Sequence, residues 1–143
     1  MTKVMATGVF DILHLGHIDY LKQSRALGEE LIVVVATDLN AQKSGKKLVF
    51  SENARREMVS NLKMVDEAVV GNHGDIFRTV EILKPDIITL GFDQRFDEKQ
   101  IEDECAKRNI HVKVVRCKRF ESQDPVGTRM IKKRIIELEG IRA

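Results

Sequence analysis

The side chains of this chain best placed by type and spacing to do chemistry are His14 and His17. They lie in the segment Gly8-Val9-Phe10-Asp11-Ile12-Leu13-His14-Leu15-Gly16-His17. A helix beginning here puts residues i and i+3 on one face, so both imidazoles point the same way. Gly16 between them removes a side chain where a phosphate or ligand backbone could approach. The start of a helix adds unpaired N–H donors and positive potential, which together make an anion site. Two imidazoles there can donate hydrogen bonds to phosphoryl oxygens as charge builds up. The competing structural role is a pair of half-buried histidines that cap a helix. A zinc site needs a third ligand. Asp11 is near in sequence, but two histidines flanking a glycine at this spacing are not a usual zinc arrangement, so no metal ligand is assigned.

The elements that must hold this segment follow from alternating apolar patterns. Strands are expected at Lys3–Gly8, Leu31–Ala36, Asp66–Gly71, Asp86–Gly91 and His111–Arg116. Leu31-Ile32-Val33-Val34-Val35-Ala36 is an unbroken β-branched run, which suits a strand covered by helices on both faces. Helices are expected at Ile18–Leu27, from an N-cap at Ser51 through about Met64, and at Asp75–Leu83, Asp97–Asn109 and Pro125–Glu139, the last with proline in its first turn. This order predicts a doubly wound, Rossmann-like α/β fold: a five-stranded parallel sheet with helices on both faces, one domain over 1–143. Ligands of such sheets bind beyond the carboxyl ends of the strands, here Gly8–His17, Thr37–Lys47, Gly91–Phe96 and the stretch before the last helix.

Composition narrows the partner. The 24 basic and 22 acidic residues nearly cancel, leaving +2, which argues against a nucleic-acid binder driven by counterion release. Any polyanion should be small and held locally. No apolar run is long enough to span a bilayer, no signal peptide is evident, and Cys105 and Cys117 fit no zinc spacing. The expectation is a cytoplasmic protein with two reduced thiols and no membrane partner.

The Gly8–His17 segment resembles the signature of the HxGH nucleotidyltransferase superfamily, and within it the cytidylyltransferase-like branch. Ala36-Thr37-Asp38 with Lys43, Lys46 and Lys47 is similar to that branch's lysine-bearing loop. Arg55-Arg56-Glu57-Met58 and Val65-Asp66-Glu67-Ala68-Val69 resemble its next helix and strand. Gly91-Phe92-Asp93-Gln94 stands where glycerol-3-phosphate cytidylyltransferases carry Gly-x-Asp-Trp, and the Asp-Gln version is more similar to archaeal-type FAD synthases.

The resemblance implies transfer of a nucleoside monophosphate from a triphosphate to a phosphate-bearing acceptor with release of pyrophosphate. In the FAD synthase subgroup the substrates are ATP and FMN; the alternative is CTP with glycerol 3-phosphate or a sugar phosphate. A non-catalytic nucleotide sensor is a third reading. By the same resemblance His14, His17 and Lys46 are the catalytic candidates. Val9, Phe10, Leu15, Gly16, Asp93, Phe120 and Thr128 join the histidines around the nucleotide. Lys43, Arg55 and Arg119 contact phosphates or acceptor, and Mg²⁺ or another divalent cation bridges the phosphates. Relatives of this kind are commonly homodimers.

Each residue also has a plainer role. The Lys43–Lys47 stretch reads equally as a solvated basic loop, and Arg55 and Arg56 as surface partners of Glu52 or Glu57. Phe10 reads as core packing and Asp93 as a turn residue. The last loop, Ser122-Gln123-Asp124-Pro125-Val126-Gly127-Thr128-Arg129, departs from the family's Arg-Thr-x-Gly-Ile-Ser-Thr-Ser/Thr pattern and keeps only the Thr128 hydroxyl. A flavin acceptor needs an apolar slot. With aromatics at 5% of the chain, Ile, Leu and Met are expected to line it, with a dimer interface as one place for it.

Overall fold

The structure, a computed structural model, describes residues 1–140, so the last three residues of the domain expected over 1–143 lie outside the described residues. Five strands, β1 (Lys3–Gly8), β2 (Glu30–Val35), β3 (Glu67–Val70), β4 (Ile87–Leu90) and β5 (Lys113–Arg116), form one sheet in the order β3-β2-β1-β4-β5. Every pairing is parallel. The helices are α1 (Leu15–Arg25), α2 (Asp38–Lys43), α3 (Glu52–Ser60), α4 (Ile76–Leu83), α5 (Glu98–Lys107) and α6 (Thr128–Glu139). The expected doubly wound sheet is the observed one.

Strand side chains alternate between two apolar layers. Val4, Ala6, Leu31, Val33 and Val35 pack with Tyr20 and Leu21 of α1 and Val59 of α3. Met5, Val34, Ile88 and Leu90 pack on the other face with Val80 of α4 and Ile101 of α5. Burying each such Val, Leu or Ile stabilises by about 1.5–3 kcal/mol, so the central strands anchor the fold. Cys117 lies in the first layer and Cys105 in the second, both as free buried thiols, so the sheet separates them.

Several boundaries differ from expectation. α1 starts at Leu15, because the first histidine of the pair is its N-cap. α2 occupies part of the stretch read as a loop: Thr37 Oγ1 accepts from Asn40 N at 3.0 Å and starts a single six-residue helix. α3 has the expected cap, Ser51 accepting from Ala54 N, but ends at Ser60. There Ser60 Oγ and Asn61 Nδ2 both donate to the Glu57 carbonyl and end the ladder. Pro125 stands outside α6, whose N-cap is Gly127. The Val126 carbonyl lies against the start of α1, 3.2 Å from where a Gly16 Cβ would stand, which keeps this stretch extended.

Candidate active site

The site begins where β1 leaves the sheet. β1 stays paired with β2 through Gly8↔Val35, but its pairing with β4 ends at Ala6↔Thr89. This is the point where strand order reverses, and a crevice opens there. Side chains splint its edges in place of ladder bonds. The Tyr20 hydroxyl donates to the Thr89 carbonyl at 2.8 Å and accepts from Thr7 N at 3.1 Å. Gln94 Nε2 donates to the Thr7 carbonyl at 3.0 Å while its Oε1 accepts from Gly91 N at 3.1 Å. Neither splint was among the sequence candidates.

Beyond Gly8 the chain turns through Phe10, whose φ of 53° is left-handed. A non-glycine residue held there costs on the order of 1–3 kcal/mol, and such strain collects at functional sites. Its ring folds back so closely that a Cβ on Gly8 would stand 2.7 Å from it. The Phe10 side chain is buried, 5.2 Å from the His17 ring and 6.5 Å from Tyr20 between centroids. Phe10 is therefore core packing in its side chain and a hinge in its backbone.

The two histidines cap α1 reciprocally. His14 Nδ1 accepts from Gly16 N at 3.1 Å, and His17 Nδ1 accepts from His14 N at 3.4 Å. Their rings stack with centroids 3.7 Å apart. A neutral imidazole whose Nδ1 accepts must carry its proton on Nε2. Each Nε2 is thus a donor, and neither has a partner among the described residues. Capping and ligand binding, weighed above as alternatives, use opposite nitrogens of the same rings. Gly16 is required on structural grounds, since a Cβ there would meet the His14 ring at 2.9 Å.

Burial keeps both rings neutral. It lowers the His14 pKa, and burial with the nearby His14 and Lys46 charges pushes His17 down to about 3. A folded ring with a depressed pKa contributes stability in full above its ordinary value of 6.5. Below that value the unfolded chain takes up the proton first. Stability should fall by about 1.4 kcal/mol per pH unit for His17 until the folded ring also protonates near pH 3. Urea midpoints measured from about pH 7 down to about pH 4 should show this slope. His17→Asn should flatten it; an unchanged slope would mean the folded ring titrates normally.

The surrounding loops bring some of the sequence candidates to this point. Lys46 follows α2 and stands close enough to bear on the His17 charge; Lys43, in the last turn of α2, is exposed. The buried Asp11 carboxylate accepts from Val49 N at 2.8 Å and Phe50 N at 2.9 Å, which pins the end of the lysine loop to the β1 turn. Val9 adjoins Phe10, and Leu15 is half exposed at the first turn of α1. Thr128, half-buried, opens α6 next to the Val126 segment that touches Gly16. Phe120 is half-buried and Asp93 exposed; the Arg119 guanidinium lies over the Phe92 ring at 5.6 Å. Arg116, absent from the candidates, donates to the carbonyls of Gly91 at 3.0 Å and Gln94 at 2.9 Å, to Phe96, and to Glu98. It shapes the Gly91–Phe96 loop.

Arg55 is a correction. It is neither a phosphate contact nor a surface ion pair, because its side chain is fully buried. Its guanidinium donates to the carbonyls of Phe50 at 3.1 Å, Val9 at 2.8 Å and Ala36 at 2.9 Å, and to Asp38 Oδ1 at 2.7 Å. Four acceptors around one planar fork leave no face for a ligand. Its neighbour Arg56 does make the expected pair with Glu57, at 3.1 Å.

An open parallel sheet with a strained turn after its first strand, a helix N-terminus and two available imidazole donors makes an α/β fold whose switch-point crevice is suited to an anion. The chain belongs to the cytidylyltransferase-like family, whose model matches residues 5–134, and is an enzyme of the nucleotidyltransferase class. It is 53% identical over 137 residues to the FAD synthase of Aciduliprofundum boonei, covering 96% of this chain and 92% of that protein. It is 51% identical over 142 residues to the FAD synthase of Thermoplasma volcanium, covering 99% of each. A crystal structure described as the lipopolysaccharide core biosynthesis protein from Thermoplasma volcanium GSS1 superposes with a TM-score of 0.84 at 55% identity, over 85% of this chain and 99% of that one. Among the described residues no helix is long and apolar enough to cross a membrane.

Proposed function

We propose that this protein transfers the adenylyl group of ATP to FMN, giving FAD and pyrophosphate. The observation that carries the reading is the paired Nε2–H donors at the N-terminus of α1, on a chain about half identical, over nearly its full length, to proteins named FAD synthase. An FMN phosphate oxygen attacks the α-phosphorus of ATP in line. The bond from that phosphorus to the bridging oxygen breaks, and its electrons leave on pyrophosphate. The attacking phosphate is already an anion, so no residue has to remove a proton. The work left to the protein is positioning and charge stabilisation.

His14 and His17 hold the α-phosphate and strengthen their hydrogen bonds as charge grows on its equatorial oxygens. Lys46, and Lys43 behind it, neutralise the departing phosphates. Val9, Phe10, Leu15 and Gly16 border the nucleotide through their backbone, Asp93 and Phe120 face ribose or base, and Thr128 and Arg119 serve the phosphates from the last loop. A divalent cation, Mg²⁺ in the first instance, would come with the triphosphate and neutralise its charge; among the described residues no cluster of three or more His, Cys, Asp or Glu would hold it apart from the substrate. The working unit is a homodimer: α6 has no buried residue among those described and exposes Met130, Ile135 and Leu138, and sedimentation reads the stoichiometry.

The deciding experiment pairs ATP or CTP with FMN, glycerol 3-phosphate or a sugar phosphate in the presence of Mg²⁺, and follows pyrophosphate and FAD. FAD should form only from ATP and FMN. Pyrophosphate from CTP with a non-flavin phosphate, and none from ATP with FMN, would overturn the reading. Tight ATP binding with no pyrophosphate from any pair would leave a nucleotide sensor.

A further inference from the structure

The geometry points to an apolar cavity on the α4–α5 face of the sheet as the slot for the isoalloxazine ring of FMN, an inference that rests on the ATP:FMN reading. The cavity, about 230 Å³, lies between the first turns of α4 and α5 over the end of β4. Its walls are Val80, Ile88, Leu90 and Ile101, all buried, and Phe77 supplies an aromatic face. The mouth is wet: Phe96 is half exposed there, beside Gln100 on the exposed face of α5.

Size and lining select the ligand. An apolar cavity of about 150 Å³ accepts a benzene ring. The present cavity is larger by about half, so it takes the dimethylbenzene end of a flavin with part of the central ring. The polar pyrimidine edge stays at the mouth, where the Gln100 carboxamide carries a donor and an acceptor for the N–H and C=O of that edge. Glycerol phosphate and sugar phosphates have only hydroxyl-bearing bodies to offer; Asp97, Gln100 and Glu104 could meet hydroxyls at the mouth, but the apolar walls further in would leave them unpaired. An apolar cavity of this size is a standing cost to the fold unless something fills it.

The position completes the argument. Thr7 lines the cavity and is followed directly by Gly8, where β1 turns toward the histidines. α1, which carries the histidine pair, packs on one face of the sheet, and the cavity lies on the other. The two meet at the crevice between β1 and β4, whose pairing ends at Ala6↔Thr89. A ring seated in the cavity sends its ribityl chain over that crevice, past the Gln94–Thr7 bond, and delivers its phosphate to the side where ATP is held.

Ile101→Phe fills the slot, and flavin fluorescence titration reads FMN binding without turnover. The affinity for FMN and for riboflavin, which has the ring but no phosphate, should fall about tenfold or more, with the KM for ATP unchanged. Phe96→Ala, at the exposed rim and safe for folding, should weaken both flavins in the same sense. If the wild type forms FAD and both folded variants bind FMN like the wild type, the ring sits elsewhere and the proposal is overturned while the reaction stands. If the wild type forms no FAD yet binds FMN, and both variants weaken that binding, the slot stands and the reaction reading fails. Should Ile101→Phe fail to fold, Phe96→Ala decides alone: unchanged FMN affinity refutes the slot.

Discussion

His17→Ala should lower kcat by about 10²–10³-fold, the usual loss when one preorganised donor to a developing oxyanion is removed. The KM for ATP should move far less, because a hydrogen bond that strengthens only in the transition state leaves ground-state binding nearly intact. The same ring caps α1, since its Nδ1 accepts from His14 N at 3.4 Å, so alanine should also cost the helix about 1 kcal/mol. Two further variants separate these roles. The amide of His17→Asn reaches the place of Nδ1 and can keep the cap, but has nothing at Nε2; it should restore stability and leave turnover low. The longer His17→Gln places an N–H near the position of Nε2 and should recover part of the rate. Full turnover in His17→Asn would make the pair a helix cap and nothing more.

The sequence carries the parts of this site that depend on local spacing. The three-residue step from His14 to His17, the N-cap at Ser51, the helices expected to open at Asp75 and Asp97, and the β-branched run of β2 each depend on a few neighbouring residues, and each is found within a residue of where pattern places it. What local pattern could not carry is contact across the fold. Arg55 binds the Val9 carbonyl 46 positions away, and although its step to Val59 places it on the inner face of α3, no local pattern names the acceptors that set it apart from its half-exposed neighbour Arg56. Arg116 binds the Gly91–Phe96 loop from the next strand, and the Val126 carbonyl meets Gly16 from the far end of the chain. The histidine pair shows a subtler gap. Spacing identifies the rings, but which nitrogen caps and which stays available is set by hydrogen bonds seen only in three dimensions. The short α2 was hidden for another reason: six residues with one buried side chain, Ala41, give no period to detect.

Arg55→Met should be the most damaging single change to stability outside the apolar core. Methionine keeps the unbranched stem and removes the charge and all four hydrogen bonds. It leaves the carbonyls of Val9, Ala36 and Phe50 without their guanidinium donor, and Asp38 without its cation. Asp38 is 38% exposed and can turn to water, but each buried acceptor left without its donor costs about 1–3 kcal/mol, together about 3–5 kcal/mol for the three carbonyls, and at this chain length each kcal/mol shifts Tm by about 2–4 °C. Loss of about 10 °C in Tm is therefore expected, with urea unfolding giving the free energy directly. Arg55→Lys should rescue little, since an ammonium cannot donate in the planar fork that these acceptors surround. The Val9 and Ala36 carbonyls directly follow β1 and β2, and the Phe50 carbonyl precedes α3, so the clamp ties the turn that leads to the histidine pair to its two neighbours. ATP affinity should fall in proportion to the loss of fold, and ligand should partly restore Tm. If Arg55→Met keeps its Tm while ATP affinity alone collapses, the guanidinium leaves its cage to meet phosphate, and the buried clamp is the resting half of a binding switch.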